Sequence, residues 1–402
     1  MTIRRPVGLA AMGLVTPLGS TPGEVARALF QGTNAGLVPR DDLCPGRTVR
    51  VGEVTVALPS SPPSAASYDC RNNRLMLAAI VQIRAAIDEA IRRHGRSRVG
   101  VVLGTSTSGM AEQESARVHR AGAGEWPTGS HYRQWEIGSL SDHATLALGV
   151  TGPAYTIATA CSASAKVFAS GRRLLEAGVC DAVVVGGADT LCRMTVSGFS
   201  SLEAISRGLC NPFSRNRDGI NIGEGAAAFL MTRDQAPVSL LGSGECSDAH
   251  HISAPDPEGK GAHQAMRLAL EDAALHPDEV AYINLHGTGT PLNDSMEAEA
   301  IATLFGPSTP CSSTKAMIGH ALGAAGACEA AFVWLTLNPR YNPDNRLPPH
   351  LWDGVADPGM PAIQLAAAGA LFDDRGRTAM LSNSFAFGGN NVALAFGRGV
   401  RP

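Results

Sequence analysis
The chain has 402 residues, 44% hydrophobic and 17% charged, with 45 glycines, 25 prolines and a formal net charge of −3. That balance lies in the globular range and excludes disordered, collagen-like and coiled-coil chains. The slight acid excess argues against a general nucleic-acid binder, which carries basic residues to neutralise phosphates. Nine cysteines with no CxxC pair suggest neither a disulfide framework nor a zinc site, and point to a reducing cytoplasm.

The first twenty residues, MTIRRPVGLAAMGLVTPLGS, superficially resemble a secretory leader. A buried strand over Val7–Met12, ending in a Gly13–Gly19 turn, accounts for the same residues without a cleavage site. A loop at Pro59–Ser67 and a helix over Arg74–Arg93 follow. Short apolar runs that end in glycine then recur: VGVVLGTSTSG (99–109), DAVVVGGAD (181–189), AYINLHGTGT (281–290) and TAMLSNSFAFGG (378–389). They read as buried strands. Helical patterns separate them at Ser164–Ala177, Gly261–Ala274, Ser295–Leu304 and Leu322–Leu335. Strand, glycine turn and helix in alternation predict an α/β protein. Residues 98–107 and 280–289 share an apolar strand running into a small-residue turn, a sign of internal duplication with its junction near residue 238. No run reaches the length of a membrane span: the longest candidate, Ala316–Leu337, contains His320 and Glu329.

Four segments carry candidate chemistry. In TIATACSASAK, Cys161 sits where a strand pattern meets a helix pattern, so its thiol is expected at a helix N-terminus that favours the thiolate. Ala160, Ser162, Ala163 and Ser164 leave room for a ligand beside it. In LHGTGTPLND, His286 ends a strand at the crevice where α/β proteins bind ligands, and Thr288 and Thr290 offer hydroxyls. In KAMIGHALGAAGACEA, Lys315, His320 and Glu329 accompany a run of small residues that implies a helix packed close to another backbone. Lys315 is one of only three lysines among 33 basic residues, which suggests a site that wants a compact ammonium. In NSFAFGGNN, glycines allow a turn whose Phe387 could serve as a lid. Each feature also has a plain structural explanation: a buried cysteine or histidine is most often core, and a glycine pair is most often an ordinary turn.

Six segments in order, GLVTPLG (13–19), TACSASA (159–165), NPFSRNRDGINIGEGA (211–226), HGTGTPLND (286–294), KAMIGHALGAAGACEA (315–330) and NSFAFGG (383–389), resemble the elongating β-ketoacyl-acyl-carrier-protein synthases of the thiolase superfamily. Residues 70–79, 101–110 and 186–194 look most like ketosynthases of bacterial aryl polyene pathways. The resemblance implies a thiolase-like five-layered αβαβα fold of two similar halves. Residues 1–238 would carry the nucleophilic cysteine and 239–402 the two histidines. It implies that Cys161 accepts an acyl chain from a carrier protein's phosphopantetheine and that malonyl on a second carrier loses CO2 and attacks the thioester. His286 and His320 would hydrogen-bond the malonyl thioester oxygen, with Lys315 orienting His320 and Glu329 in the same network. Thr288 and Thr290 would hold the pantetheine chain, with Ala386 and Gly388 also at the substrate. Backbone N–H groups of Cys161 and Phe387 would form an oxyanion hole. No metal or other cofactor is implied. Acyl carrier protein is the implied partner, docked at Arg71 and Arg74, in a homodimer or in a heterodimer with a chain-length-factor-like homologue.

The chain departs from the family pattern at three places. Ala386 stands where glycine is usual before the gate phenylalanine, Asn390 where threonine follows the two glycines, and Lys166 where a neutral or imidazole side chain is expected. A non-catalytic chain-length-factor-like subunit is the alternative function; retention of Cys161, His286, Lys315 and His320 counts against it. A thiolase would need a second catalytic cysteine near the C-terminus, and none lies beyond Cys328.

Overall fold
The computed structural model describes residues 6–373 and 379–399. Thr378, the first residue of the expected fourth strand, lies outside them.

Among the described residues, eleven strands form one continuous sheet in which the same order occurs twice. In the N-terminal half the order is Val7–Val15, Gly225–Thr232, Ala182–Asp189, Val99–Gly104, Ala154–Ile157. In the C-terminal half it is Val238–Ser247, Asn390–Arg398, Ala379–Ala386, Val280–Asn284, Pro310–Ser312, with Gln364–Leu365 added at the edge. In both halves the first two pairings are antiparallel and the next two parallel. The strands at 99–104 and 280–284 therefore occupy equivalent places, as the repeat between 98–107 and 280–289 suggests. Among the described residues, only a short antiparallel contact, Val7 with Leu240 and Gly8 with Ser239, joins the halves edge to edge.

The half-sheets enclose two helices, Ala163–Glu176 and Ala325–Leu337, and carry others outside: Arg71–Gln82 and Ser139–Leu148 on one face, Lys260–Ala273 and Pro291–Phe305 on the other. This gives five layers, the thiolase-like αβαβα arrangement. All thirteen residues of Ala325–Leu337 are buried, as expected for a helix apolar on every face but for Glu329 and Thr336. The largest core cluster, with Phe168, Phe229, Phe332 and Phe396, lies between the half-sheets around these two helices.

Several boundaries differ from the sequence reading, three of them for a reason visible in the structure. The first strand continues to Val15, and the turn is only Thr16–Gly19. Gly13 is a strand residue whose missing side chain admits the helix Arg71–Gln82: a Cβ there would come within 2.2 Å of the Ala79 carbonyl oxygen. The helix expected over Arg74–Arg93 is two, Arg71–Gln82 and Arg84–His94, broken at Ile83, whose φ of −111° and ψ of 10° leave the helical region. The helix expected at Ser295 starts earlier, at Pro291, whose fixed φ suits a first turn.

Candidate active site
Cys161 lies between the strand Ala154–Ile157 and the central helix Ala163–Glu176. Ala160 before it has φ of +50°, a strained conformation for a residue with a Cβ. This elbow presents the thiol at the floor of a cavity of about 320 Å³. Cys161, His286 and His320 form the buried floor; Leu202, Leu292 and Phe387 line the same space but are exposed, and so mark its mouth.

His320 precedes the second central helix. Its Nε2 lies 3.0 Å from Cys161 Sγ. The His286 ring stands edge-on to that of His320, with centroids 5.4 Å apart. Lys315 is buried behind them: its Nζ donates to the His286 carbonyl oxygen at 2.5 Å and to Glu329 Oε1 at 2.5 Å, and lies 3.4 Å from His286 Nδ1. An ammonium can only donate, so this contact keeps the Nδ1 lone pair free and places the His286 proton on Nε2. Burial and the Lys315 charge hold both imidazoles well below their ordinary pKa, and hence neutral. The ligand-type atoms of Cys161, His286 and His320 lie within 4.8 Å of one another. A metal, however, would need His286 Nε2 deprotonated, the tautomer that Lys315 opposes.

The thiol departs from expectation. Burial pushes Cys161 up to about 12, with the Lys315 ammonium only partly offsetting it. Desolvation therefore outweighs the helix N-terminus, and sulfur keeps its proton until His320 takes it.

Thr288 and Thr290 line the cavity, their hydroxyl oxygens 3.0 Å apart. Ala386 and Phe387 also line it, and the Phe387 ring lies 5.5 Å from that of Phe199. Gly388 does not: it stands in the turn beside the cavity and donates its N–H to the Ile252 carbonyl. Glu329 lies behind Lys315 rather than on the cavity wall, so it acts through that lysine and not as a substrate contact.

Residues 4–236 match the family model described as beta-ketoacyl synthase, N-terminal domain, and residues 238–346 match its C-terminal domain. The chain belongs to the β-ketoacyl synthase family. This β-ketoacyl synthase chain is 32% identical over 347 residues to 3-oxoacyl-[acyl-carrier-protein] synthase 2 of Staphylococcus aureus, covering 81% of this chain and 84% of that one. It is 29% identical to the protein of the same name from Synechocystis, over 98% of each. Among solved structures it superposes on a chain from the ketosynthase ApeO in complex with its chain length factor ApeC from Xenorhabdus doucetiae, with TM-score 0.91, 44% identity and 98% of each chain covered. The ishigamide ketosynthase/chain length factor gives TM-score 0.85 at 25% identity, over 98% of this chain and 99% of the other.

Sequence reasoning passed over the groups that hold this synthase's catalytic loops. Glu297, buried in the helix Pro291–Phe305, accepts the backbone N–H of His286 at 2.8 Å and of Gly287 at 2.7 Å. Asp189 accepts from Thr105, Ser106, Thr107 and Ala324, tying loops of both halves together. For Asp189 the signal was an acid ending an apolar, small-residue run; Glu297, between Asp294 and Glu299, carried none. The two arginines expected to dock the carrier have partners within the chain. Arg71 is paired with buried Glu224 at 2.5 Å and also donates to the Val54 carbonyl at 2.7 Å, while Arg74 is paired with Asp69. These pairs give both arginines a role in the fold.

Proposed function
We propose that the chain is a β-ketoacyl-acyl-carrier-protein synthase that performs decarboxylative Claisen condensation, in chain elongation of the aryl polyene or fatty-acid type. The observation that carries this reading is the 3.0 Å contact of Cys161 Sγ with His320 Nε2, with the His286 ring against it in one cavity. Cys161 Sγ attacks the acyl thioester carbonyl as His320 Nε2 takes and keeps its proton; the carrier thiolate leaves and is protonated by solvent, and the acyl group is now on sulfur. Malonyl thioester then loses CO2. The negative charge develops on its thioester oxygen, facing the N–H donors of His286 and His320. The carbanion carbon bonds to the acyl carbonyl, the C–S bond to Cys161 breaks, and the thiolate recovers its proton from His320 Nε2. Charge stabilisation at an oxygen, rather than a strong base, is what decarboxylation requires. Backbone N–H groups of Cys161 and Phe387 are assigned to the tetrahedral oxyanion, and the threonine pair Thr288 and Thr290 to the pantetheine arm.

The partner is acyl carrier protein, and the chain works as a dimer, with itself or with a chain-length-factor-like homologue, in the cytoplasm. Support for the assembly comes from the neighbours solved with chain length factors; among the described residues no helix is long and apolar enough to cross a membrane. Intact-mass spectrometry after incubation with acyl-carrier protein tests the reading. One acyl mass is expected, on Cys161; label on another cysteine, or none, overturns it.

A further inference from the structure
The Phe387–Gly389 segment is the tight turn of a hairpin whose closing pair is Ala386 and Asn390. Gly388 and Gly389 have φ of +80° and +72°, which glycine adopts without strain. One side of the turn is held by the segment after the strand Val238–Ser247. Gly388 N–H donates to the Ile252 carbonyl, Asp248 N–H donates to the Gly389 carbonyl at 2.9 Å, and Asn391 Nδ2 donates to Asp248 Oδ1 at 2.5 Å. A further tie comes from across the molecule: Lys166 Nζ donates to Asn390 Oδ1 at 3.3 Å. Lys166 lies in the first turns of the helix that follows Cys161, and is half-buried. Among the described residues it makes no ion pair, and this is its one side-chain hydrogen bond. Thus two of the residues that depart from the family pattern, far apart in sequence, meet between the nucleophile helix and the gate turn.

We infer that Lys166 is a positioning residue that, through Asn390, ties the Phe387 turn to the nucleophile helix and favours the closed position of the gate. A half-buried ammonium with no carboxylate partner gives up hydration for a single amide oxygen, an arrangement that surface solubility does not explain. The tie spans the N-terminal and C-terminal halves, whereas the bonds to Asp248 and Ile252 stay within the C-terminal half. Closure has opposite effects on the two half-reactions. It hinders entry of the acyl chain, and it holds the Phe387 backbone near the carbonyl during condensation. The inference rests on the proposed condensation reading.

The test uses the purified full-length chain in its native assembly, supplied with hexanoyl- and dodecanoyl-carrier protein and then malonyl-carrier protein. In Lys166→Met and in Asn390→Ala, transfer of dodecanoyl to Cys161 should be as fast as in wild type or faster. Condensation should be slower on the order of tenfold, the scale of coupling through one contact. The double variant should be no worse than either single one, and Lys166→Arg should restore most of the condensation rate. A purely structural role would lower both half-reactions together along with the melting temperature; that result, or no change in either half-reaction, overturns the inference. If wild type itself takes no acyl group on Cys161, the condensation reading fails instead.

Discussion
At the scale of single residues, the two histidines differ in what they touch, and so in what their loss should do. His320 Nε2 contacts a thiol held up to about 12, so it must remove that proton before sulfur can attack. His286 has its Nδ1 side toward Lys315 and serves as an Nε2–H donor. His286→Ala is therefore expected to lower malonyl decarboxylation by about 10²- to 10⁴-fold while leaving acylation nearly intact; His320→Ala should lower both. Radiolabelled malonyl turnover and intact mass separate the two steps. For the same reason iodoacetamide labelling of Cys161 should show no thiolate step through pH 9, where a thiol of ordinary pKa would be about half ionised. The identities of Cys161, His286, His320 and Lys315 were legible as residue types at strand and helix ends. The protonation state of the thiol was not, because desolvation depends on surroundings that a linear sequence does not display.

At the scale of elements, the central pair of helices fixes the distance between thiol and imidazole. Cys161 leads into one and His320 precedes the other, and they cross where Gly326 faces Ala165: a Cβ at Gly326 would lie 2.8 Å from the Ala165 Cβ. Ser164 Oγ also accepts the Ala327 N–H at 2.8 Å across this crossing. The small-residue run in the sequence announced such a close approach, but not which helix would be the partner. Gly326→Val should separate the helices at a cost of about 1–3 kcal/mol. Because both site residues hang from their ends, acylation should fall well below what the loss of folded protein explains, as measured by rate against circular dichroism. Boundaries were less legible. Gly13 looked like a turn because its contact, the Ala79 carbonyl, is 66 positions away in the chain, and Ile83 gave no local sign that it would break a helix.

At the scale of the whole molecule, duplication was the weakest sequence signal and became the organising feature of the fold, since sheet order is preserved long after side chains diverge. Burial also sets how the molecule responds to acid. His350 is buried, accepting from the Ser313 N–H at Nδ1 and donating from Nε2 to the Pro212 carbonyl, so a second proton would face a donor. Its pKa is pushed down to about 4, and that of His143 likewise, against an ordinary value of 6.5. A depressed histidine contributes stability that is present above pH 6.5 and is lost as pH falls through 4, roughly 3 kcal/mol each. Glu297 and Glu329, raised to about 7 by burial, act in the opposite sense: their contribution is full below 4.5 and lost as pH rises through 7. The histidine component is therefore read by difference. His350→Gln, less stable than wild type at pH 7, should lose less on acidification to pH 4 in thermal melts; parallel losses would contradict the assignment.

The thiol from the first repeat and both imidazoles from the second converge within one polypeptide. A mixture of Cys161→Ala and His320→Ala proteins, however thoroughly its subunits exchange, should consequently recover no turnover, since no intermolecular pairing can rebuild an intact centre. Coupling to a catalytically silent companion, by contrast, would leave one complete centre working in every pair.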